Sequence, residues 1–315
     1  MSDASASTAT ATIATAEAAA PAVRSGTAYV GRFAPSPTGA LHLGSLLAAL
    51  GSYLDARAHR GRWLVRMEDL DAARALPGCA TQILATLEAF GLHWDGCIEY
   101  QSTRRERYAA ALTQLRTAGL TFECSCSRRE LAEEPGYPGT CRSAPRHAGP
   151  TATRFRVPDV RVGWQDRLQG SCHYELAPLG DVIIRRRDGG FAYQLAVVVD
   201  DAAQAVTDVV RGADLIASTP WQIALQSALA LPPARYAHLP LLTEPGGAKL
   251  AKSRRSVPLE PARASAQLCQ VLGLLGQGPP AGLELEPVHT ALGWAIQHWR
   301  PERLTGVAAI AAPDP

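Results

Sequence analysis

The sequence predicts an α/β fold, in which short buried strands alternate with amphipathic helices and a small cysteine-bearing segment is inserted between them. Three stretches point there. GRFAPSPTGALHLGSLLAAL, residues 31–50, reads as a strand, a turn-rich loop and a helix in succession. RWLVRMEDLD, residues 62–71, reads as a second strand whose far end carries Glu68, Asp69 and Asp71. Cys124, Cys126 and Cys141 fall in a Gly/Pro-rich, turn-forming stretch between helical and alternating segments.

The first stretch organises the rest. Val30 and Phe33 lie on the strand. Pro35, Pro37 and Gly39 punctuate the loop, because proline fixes φ and glycine tolerates positive φ. Leu43, Leu46, Leu47 and Leu50 then recur at helical spacing. A loop that feeds a helix N-terminus favours anions, through its free backbone N–H groups and the helix dipole. Arg32, Ser36, Thr38 and His42 add side-chain donors. The spacing from Gly39 to Gly44 is that of a Walker loop, but Ser45 stands where its lysine belongs. No GxGxxG follows the strand, so the dinucleotide fingerprint is absent as well.

The carboxylates after the second strand sit where open α/β sheets bind ligands. Helix capping accounts for Asp69 or Asp71, whereas Glu68 is suited to hold an ammonium group. Helices follow through Ile83, Leu84, Leu87 and Phe90, and over residues 103–118 through Tyr108, Leu112 and Leu115. Thiolates at Cys124, Cys126 and Cys141 suit a tetrahedral structural Zn²⁺ site, and spacing alone favours His147 as the fourth ligand. Cys79, Cys97, Cys172 and Cys269 are isolated and read as core residues.

From residue 153 the pattern alternates, with a hairpin signal at Asp188, Gly189 and Gly190. An apolar run at 195–199 ends on Asp200 and Asp201. Residues 206–212 read as a buried strand with Arg211 at its C-terminal end, where a bidentate pair with a carboxylate is possible. Tyr193 is placed to face the same crevice. A helix over 215–230 and a short strand at 238–242 deliver a loop with Lys249 and Lys252, preceded by Gly246 and Gly247. Such lysines can be aimed at charge developing on phosphate. Helical sequence closes the chain, with a Gly/Pro break at 276–282 and a last helix at 291–298.

Composition excludes little. The chain has 315 residues, with 47% hydrophobic and 19% charged, as in a soluble globular protein of one large or two modest domains. With 31 basic residues against 29 acidic ones, the net charge of +2 neither demands nor excludes an RNA partner. No apolar run reaches membrane-spanning length, so no membrane partner is expected. Residues 1–27 are Ala/Ser/Thr-rich and read as a disordered extension. Asp3, Glu17 and the lone Arg24 fit neither a signal nor a transit peptide, which suggests a cytoplasmic protein with reduced thiols.

His42-Leu43-Gly44-Ser45 resembles the HIGH signature of class I aminoacyl-tRNA synthetases, and Lys249-Leu250-Ala251-Lys252-Ser253 resembles their KMSKS signature. Together with RMEDLD, YQLAVVVDD and VVRGADL, these stretches look like the catalytic half of glutamyl-tRNA synthetases over residues 30–257. The shortness of the chain and its CxC…Y…C pattern are similar to the glutamyl-queuosine tRNA(Asp) synthetases. That resemblance implies a Rossmann-like catalytic domain over 28–100 and 191–245 and an inserted zinc-bearing subdomain over 101–190. It also implies a KMSKS-like loop and helical part over 246–315, with no anticodon-binding domain. The implied enzyme is a monomeric ligase acting with ATP and Mg²⁺, and its acceptor is the queuosine base at the wobble position of tRNA(Asp). The implied glutamate pocket is Arg32, Phe33, Ala34, Pro35, Ser36, Glu68, Tyr193 and Arg211. His42 and Lys252 would be catalytic, His42, Gly44, Lys249 and Lys252 would bind ATP, and Cys124, Cys126, Tyr137 and Cys141 would hold zinc. Ser45 and Ala251 depart from the two signatures.

Overall fold

The computed structural model describes residues 18–19, 28–243 and 259–312. The loop with Lys249 and Lys252, and all of the 1–27 extension except residues 18–19, lie outside the described residues. The principal strands are β1 (Val30–Phe33), β2 (Arg62–Met67), β3 (Glu99–Tyr100), β4 (Thr121–Cys124), β5 (Ala152–Phe155) and β6 (Arg161–Asp166). They continue with β7 (Gly170–Glu175), β8 (Val182–Arg185), β9 (Asp208–Gly212), β10 (Arg235–Leu239), β11 (Leu241–Thr243) and β12 (Ala309–Ala311). The main helices are α1 (Leu43–Ala58), α2 (Cys79–Ala89), α3 (Arg105–Thr117) and α4 (Tyr193–Ala203), then α5 (Thr219–Ala228), α6 (Ala264–Leu274) and α7 (Val288–Gln297).

β1, β2 and β3 run parallel, with Val30 opposite Arg62 and Phe33 opposite Val65. β9 and β10 are also parallel, from Asp208 opposite Arg235 to Gly212 opposite Leu239. The two sets meet at Val30, whose carbonyl accepts from Thr207 N at 2.9 Å and whose N–H donates to Thr207 Oγ1 at 2.9 Å. The set β3, β2, β1 and the sheet that holds β9 and β10 are separate but abut along β1 and β9, in the order of a doubly wound fold with its switch point between those two strands. β6 extends the sheet beside β10 through Asp166 and Tyr236, and β7 returns antiparallel to it. The catalytic sheet thus takes a strand from the stretch 101–190. β4, β5 and β8 form a separate antiparallel sheet there, which carries the cysteine loop. Ala18–Ala19 pairs in parallel with β6.

Side chains alternate across the main sheet into two cores, as the twofold period of a strand requires. Phe33, Trp63, Val65, Val210 and Ala237 pack with α1, α2 and the C-terminal helices. Val30, Leu64, Val209 and Tyr236 pack with α3, α4 and α5. The apolar run at 195–199 is the buried interior of α4. The hairpin at Asp188 forms as expected, with Gly189 at φ +82° and Arg185 bridged to Phe191. The helix expected over 215–230 begins as a 3-10 turn, Ala213–Ser218, before α5. Cys79 and Cys269 are buried, but Cys97 is exposed and Cys172 only half-buried, because each lies on a loop or an edge strand rather than beneath a helix.

Opposite the crevice, Asp55 of α1 ties the chain's distant parts together. It accepts two bonds from Arg167 at 2.6 and 2.9 Å, one from Tyr29 at 2.5 Å and one from Trp299 Nε1 at 3.2 Å. These donors hold its carboxyl below the ordinary range despite burial. Replacing Asp55 by alanine leaves Arg167 only its longer contact with Asp208 at 3.6 Å and takes the acceptor from Tyr29 and Trp299, so urea denaturation should show a loss of about 3 kcal/mol. A loss near zero would contradict this account of the network.

Candidate active site

The loop after β1 is fixed at both ends. Glu68 N donates to Pro35 O and Leu76 N to Pro37 O, each at 2.9 Å, which ties it to the segment leaving β2. His42 is the N-cap of α1, and its Nδ1 accepts from Gly44 N at 3.2 Å and Ser45 N at 3.4 Å. An accepting Nδ1 leaves the ring proton on Nε2, which makes that edge a donor. Ser45 Oγ accepts from His42 N at 2.9 Å, completing a reciprocal capping box. The departure from the HIGH pattern at Ser45 thus has a local role. A Cβ on Gly44 would lie 3.1 Å from His42 Cε1, a close contact that would require the imidazole to shift.

Beneath the loop lies a buried charge cluster. Arg32 of β1 and Arg66 of β2 both bond Asp201 Oδ1, at 3.3 and 2.7 Å. Arg66, wholly inaccessible, also donates to Gln204 Oε1 at 2.7 Å. Asp200, beside it on α4, accepts from Arg104 Nε at 2.6 Å, Gln101 Nε2 at 2.8 Å and the Tyr108 hydroxyl at 2.6 Å. Glu68 approaches Arg66 Nη2 only to 3.6 Å, and its Oε1 has no hydrogen-bond partner among the described residues. Burial dominates over the nearby arginines and pushes the Glu68 carboxyl up to about 7. Asp69 instead caps the 3-10 turn Gln101–Thr103 through Ser102 N and Oγ, and Asp71 pairs with Arg74 at 2.6 Å.

Across the switch point stands Arg211, at the end of β9. Its Nε donates to His238 Nε2 at 3.1 Å, its Nη1 to the Tyr193 hydroxyl at 3.3 Å, and its Nη2 to Thr219 Oγ1 at 2.8 Å. The Tyr236 ring packs against the guanidinium, with its centroid 5.4 Å from Cζ. Arg211 is buried, yet it forms no ion pair with a carboxylate among the described residues. A buried cation in that state favours an incoming carboxylate.

Beside these groups opens a cavity of about 270 Å³, lined among others by Ser36, Glu68, Gln101, Phe191 and Tyr193. The structure therefore brings Ser36, Glu68 and Tyr193 to one crevice, with Arg211 buried behind Tyr193 and Arg32 buried against Asp201. Phe33 does not present its ring there; it is buried in the core and stacked at 6.2 Å on Trp63. Ala34 and Pro35 contribute backbone, and Lys249 and Lys252 lie outside the described residues. Sequence reasoning missed Arg66, Gln101, Asp166 and His238 as parts of the site. Arg66 and the Asp200–Asp201 pair did carry a signal, since charges inside apolar runs need partners.

A second cluster sits beyond β4. The Sγ atoms of Cys124, Cys126 and Cys141 lie within 4.8 Å of one another and are buried. The Tyr137 hydroxyl is 3.4 Å from Cys124 Sγ and accepts from Cys141 N at 2.8 Å. His147, which spacing favoured, is half exposed, with its Nε2 2.6 Å from Glu130 Oε1. Three thiols this close together could hold a metal ion such as Zn²⁺.

Known proteins share the fold. A family model described as tRNA synthetases class I (E and Q), catalytic domain, matches residues 29–260. Glutamyl-Q tRNA(Asp) synthetase of Pseudomonas aeruginosa strain LESB58 is 51% identical over 284 residues, covering 90% of this chain and 97% of the relative. The protein of that name in Dechloromonas aromatica is 51% identical over 282 residues, covering 86% and 94%. A glutamate tRNA ligase from Elizabethkingia meningosepticum, solved with its amino acid, superposes with a TM-score of 0.75 at 25% identity, over 90% of this chain and 67% of that one. The chain belongs to the class I tRNA synthetases of the E and Q type and, within them, to the glutamyl-Q tRNA(Asp) synthetase family.

The capping box makes a simple test. Ser45→Ala removes the acceptor for His42 N and should lower stability by about 1 kcal/mol in thermal or urea unfolding. An unchanged midpoint would show that Ser45 does not cap the helix.

Proposed function

We propose that this protein activates glutamate with ATP and transfers it to the queuosine base at the wobble position of tRNA(Asp). The observation that carries the glutamate half is the cavity at the switch point, lined by Glu68, whose Oε1 has no hydrogen-bond partner among the described residues, and by Tyr193, whose hydroxyl accepts from Arg211, a cation with no carboxylate partner among those residues. An α-ammonium and a side-chain carboxylate would complete those two sites. The choice of acceptor rests on the relatives that bear the name.

In this reading Glu68 holds the ammonium, while Arg211 and the Tyr193 hydroxyl hold the side-chain carboxylate. A glutamate α-carboxylate oxygen attacks the α-phosphorus of ATP, and the bond to pyrophosphate breaks, giving glutamyl-adenylate. The α1 N-terminus, the Nε2 edge of His42 and Lys252 would meet the charge that develops on phosphate, with Lys249 beside them. Magnesium bound to the ATP phosphates would further neutralise them. A queuosine hydroxyl then attacks the acyl carbon and AMP departs, leaving an ester on the base. Cys124, Cys126, Cys141 and Tyr137 would hold a Zn²⁺ ion that cross-links the loop between β4 and β5. Acting on tRNA, the protein would work in the cytoplasm, and we propose that it does so as a monomer.

Labelled glutamate supplied with ATP to tRNA pools with and without queuosine tests the acceptor. Label confined to the queuosine pool and mapped by nuclease to the anticodon loop is the expected result. Label at the 3′ end of both pools would make this a minimal glutamyl-tRNA synthetase instead. A pH series tests Glu68. An ionised carboxylate is needed to hold the ammonium, so glutamate affinity should rise with pH, by up to about tenfold per unit below the Glu68 pKa, and level off above it. With that carboxyl near 7, affinity should climb through pH 5 to 7 and flatten by about pH 8. Glu68→Gln should bind weakly at every pH. Affinity that is flat or falls over this range would rule Glu68 out as the ammonium site.

A further inference from the structure

We propose that Asp166 and His238 are positioning residues, which fix the plane of the Arg211 guanidinium by dictating which imidazole nitrogen carries the proton. This inference rests on the reading of Arg211 as the group that holds the glutamate side-chain carboxylate.

Asp166, at the end of β6, and His238, on β10, are both buried, with fully inaccessible side chains. Asp166 Oδ1 accepts three backbone N–H bonds, from Leu168 at 3.1 Å, Gln169 at 3.0 Å and His238 at 3.1 Å. Its Oδ2 lies 2.5 Å from His238 Nδ1. An ionised carboxylate can only accept, so Nδ1 bears the ring proton and Nε2 is left as an acceptor. That acceptor takes the Nε–H of Arg211 at 3.1 Å. Thr219 Oγ1 and the Leu215 carbonyl take Nη2, at 2.8 and 3.4 Å. With Nε and Nη2 committed, Nη1 donates to the hydroxyl of Tyr193, and it is Tyr193 that lines the cavity. Burial and the charge of Arg211 hold the His238 pKa below its usual value, which keeps the ring neutral, and His238 in turn helps hold Asp166 down at about 2.

The arrangement predicts an unusual effect from an isosteric change. In Asp166→Asn the three backbone donors demand an oxygen at the Oδ1 position, so the amide NH₂ must face His238 Nδ1. Nδ1 then becomes the acceptor, the proton moves to Nε2, and two donors oppose one another between His238 and Arg211. Neither volume nor fold need change, but the guanidinium loses its anchor.

The test is glutamate-dependent pyrophosphate exchange by the full-length protein, with the glutamate and ATP dependences measured separately. Asp166→Asn should raise the half-saturating glutamate concentration roughly tenfold or more, leave that for ATP within about threefold, and weaken discrimination against glutamine. If Asp166→Asn leaves the glutamate dependence unchanged while Arg211→Ala raises it, the relay is refuted and the reading of Arg211 stands. If neither variant moves it, Arg211 does not hold the substrate carboxylate, and both ideas fall. Should Asp166→Asn fail to fold, His238 supplies the comparison. His238→Gln can place an acceptor where Nε2 stood and should keep glutamate use within about threefold, whereas the shorter His238→Asn cannot reach Arg211 and should lose roughly tenfold. Equal behaviour of the two would overturn the proposal.

Discussion

The ion pairs that Asp201 makes with Arg32 and Arg66 join β1, β2 and α4, and the crevice is assembled around that joint. Each partner comes from a different part of the chain, and each would be costly to bury alone. Arg66, wholly inaccessible, is tolerable only because Asp200, Asp201, Glu68 and Gln204 surround it. The same acidic pair on α4 reaches α3 through Arg104 and Tyr108, so the helix that presents Tyr193 to the cavity is anchored at its other end by charge.

Two arginines beside one crevice meet opposite fates, and the difference makes the site. Arg66 is compensated by protein carboxylates and is structural. Arg211 is held by neutral acceptors, a histidine, a threonine and a tyrosine, and keeps its charge available. Glu68 stands in the complementary condition, a carboxyl raised by burial with one oxygen lacking a hydrogen bond among the described residues. The free protein therefore holds groups in electrostatically unfavourable states, which a zwitterion with an extra carboxylate would relieve. Such preorganisation spends stability at the site and recovers it elsewhere, as in the Asp55 network on the opposite side.

Much of this was legible in the sequence. The strand–loop–helix at residues 31–50, the β2 carboxylates and the cysteine cluster all appear where the pattern puts them, because local spacing and turn chemistry set them. Asp200 and Asp201 were visible as an acidic pair but not as the partners of Arg32, since sequence separation hides ion pairs. His238 offered no signal at all. It sits inside an apolar strand, and its role depends on Asp166, a strand joined to it only by the sheet. Spacing favoured His147 over Tyr137, whereas three-dimensional placement brings the phenol to the thiols and the imidazole to Glu130.

The central claim is that the free protein already presents an unneutralised cation to a side-chain carboxylate. Calorimetric titration of the protein with L-glutamate and with L-glutamine, without ATP or RNA, tests it most directly. The two ligands differ in little but that charge. Glutamate should bind at least about a hundredfold more tightly, in keeping with a buried charged pair. Equal affinities would mean that Arg211 is neutralised in solution and that the crevice does not select by charge.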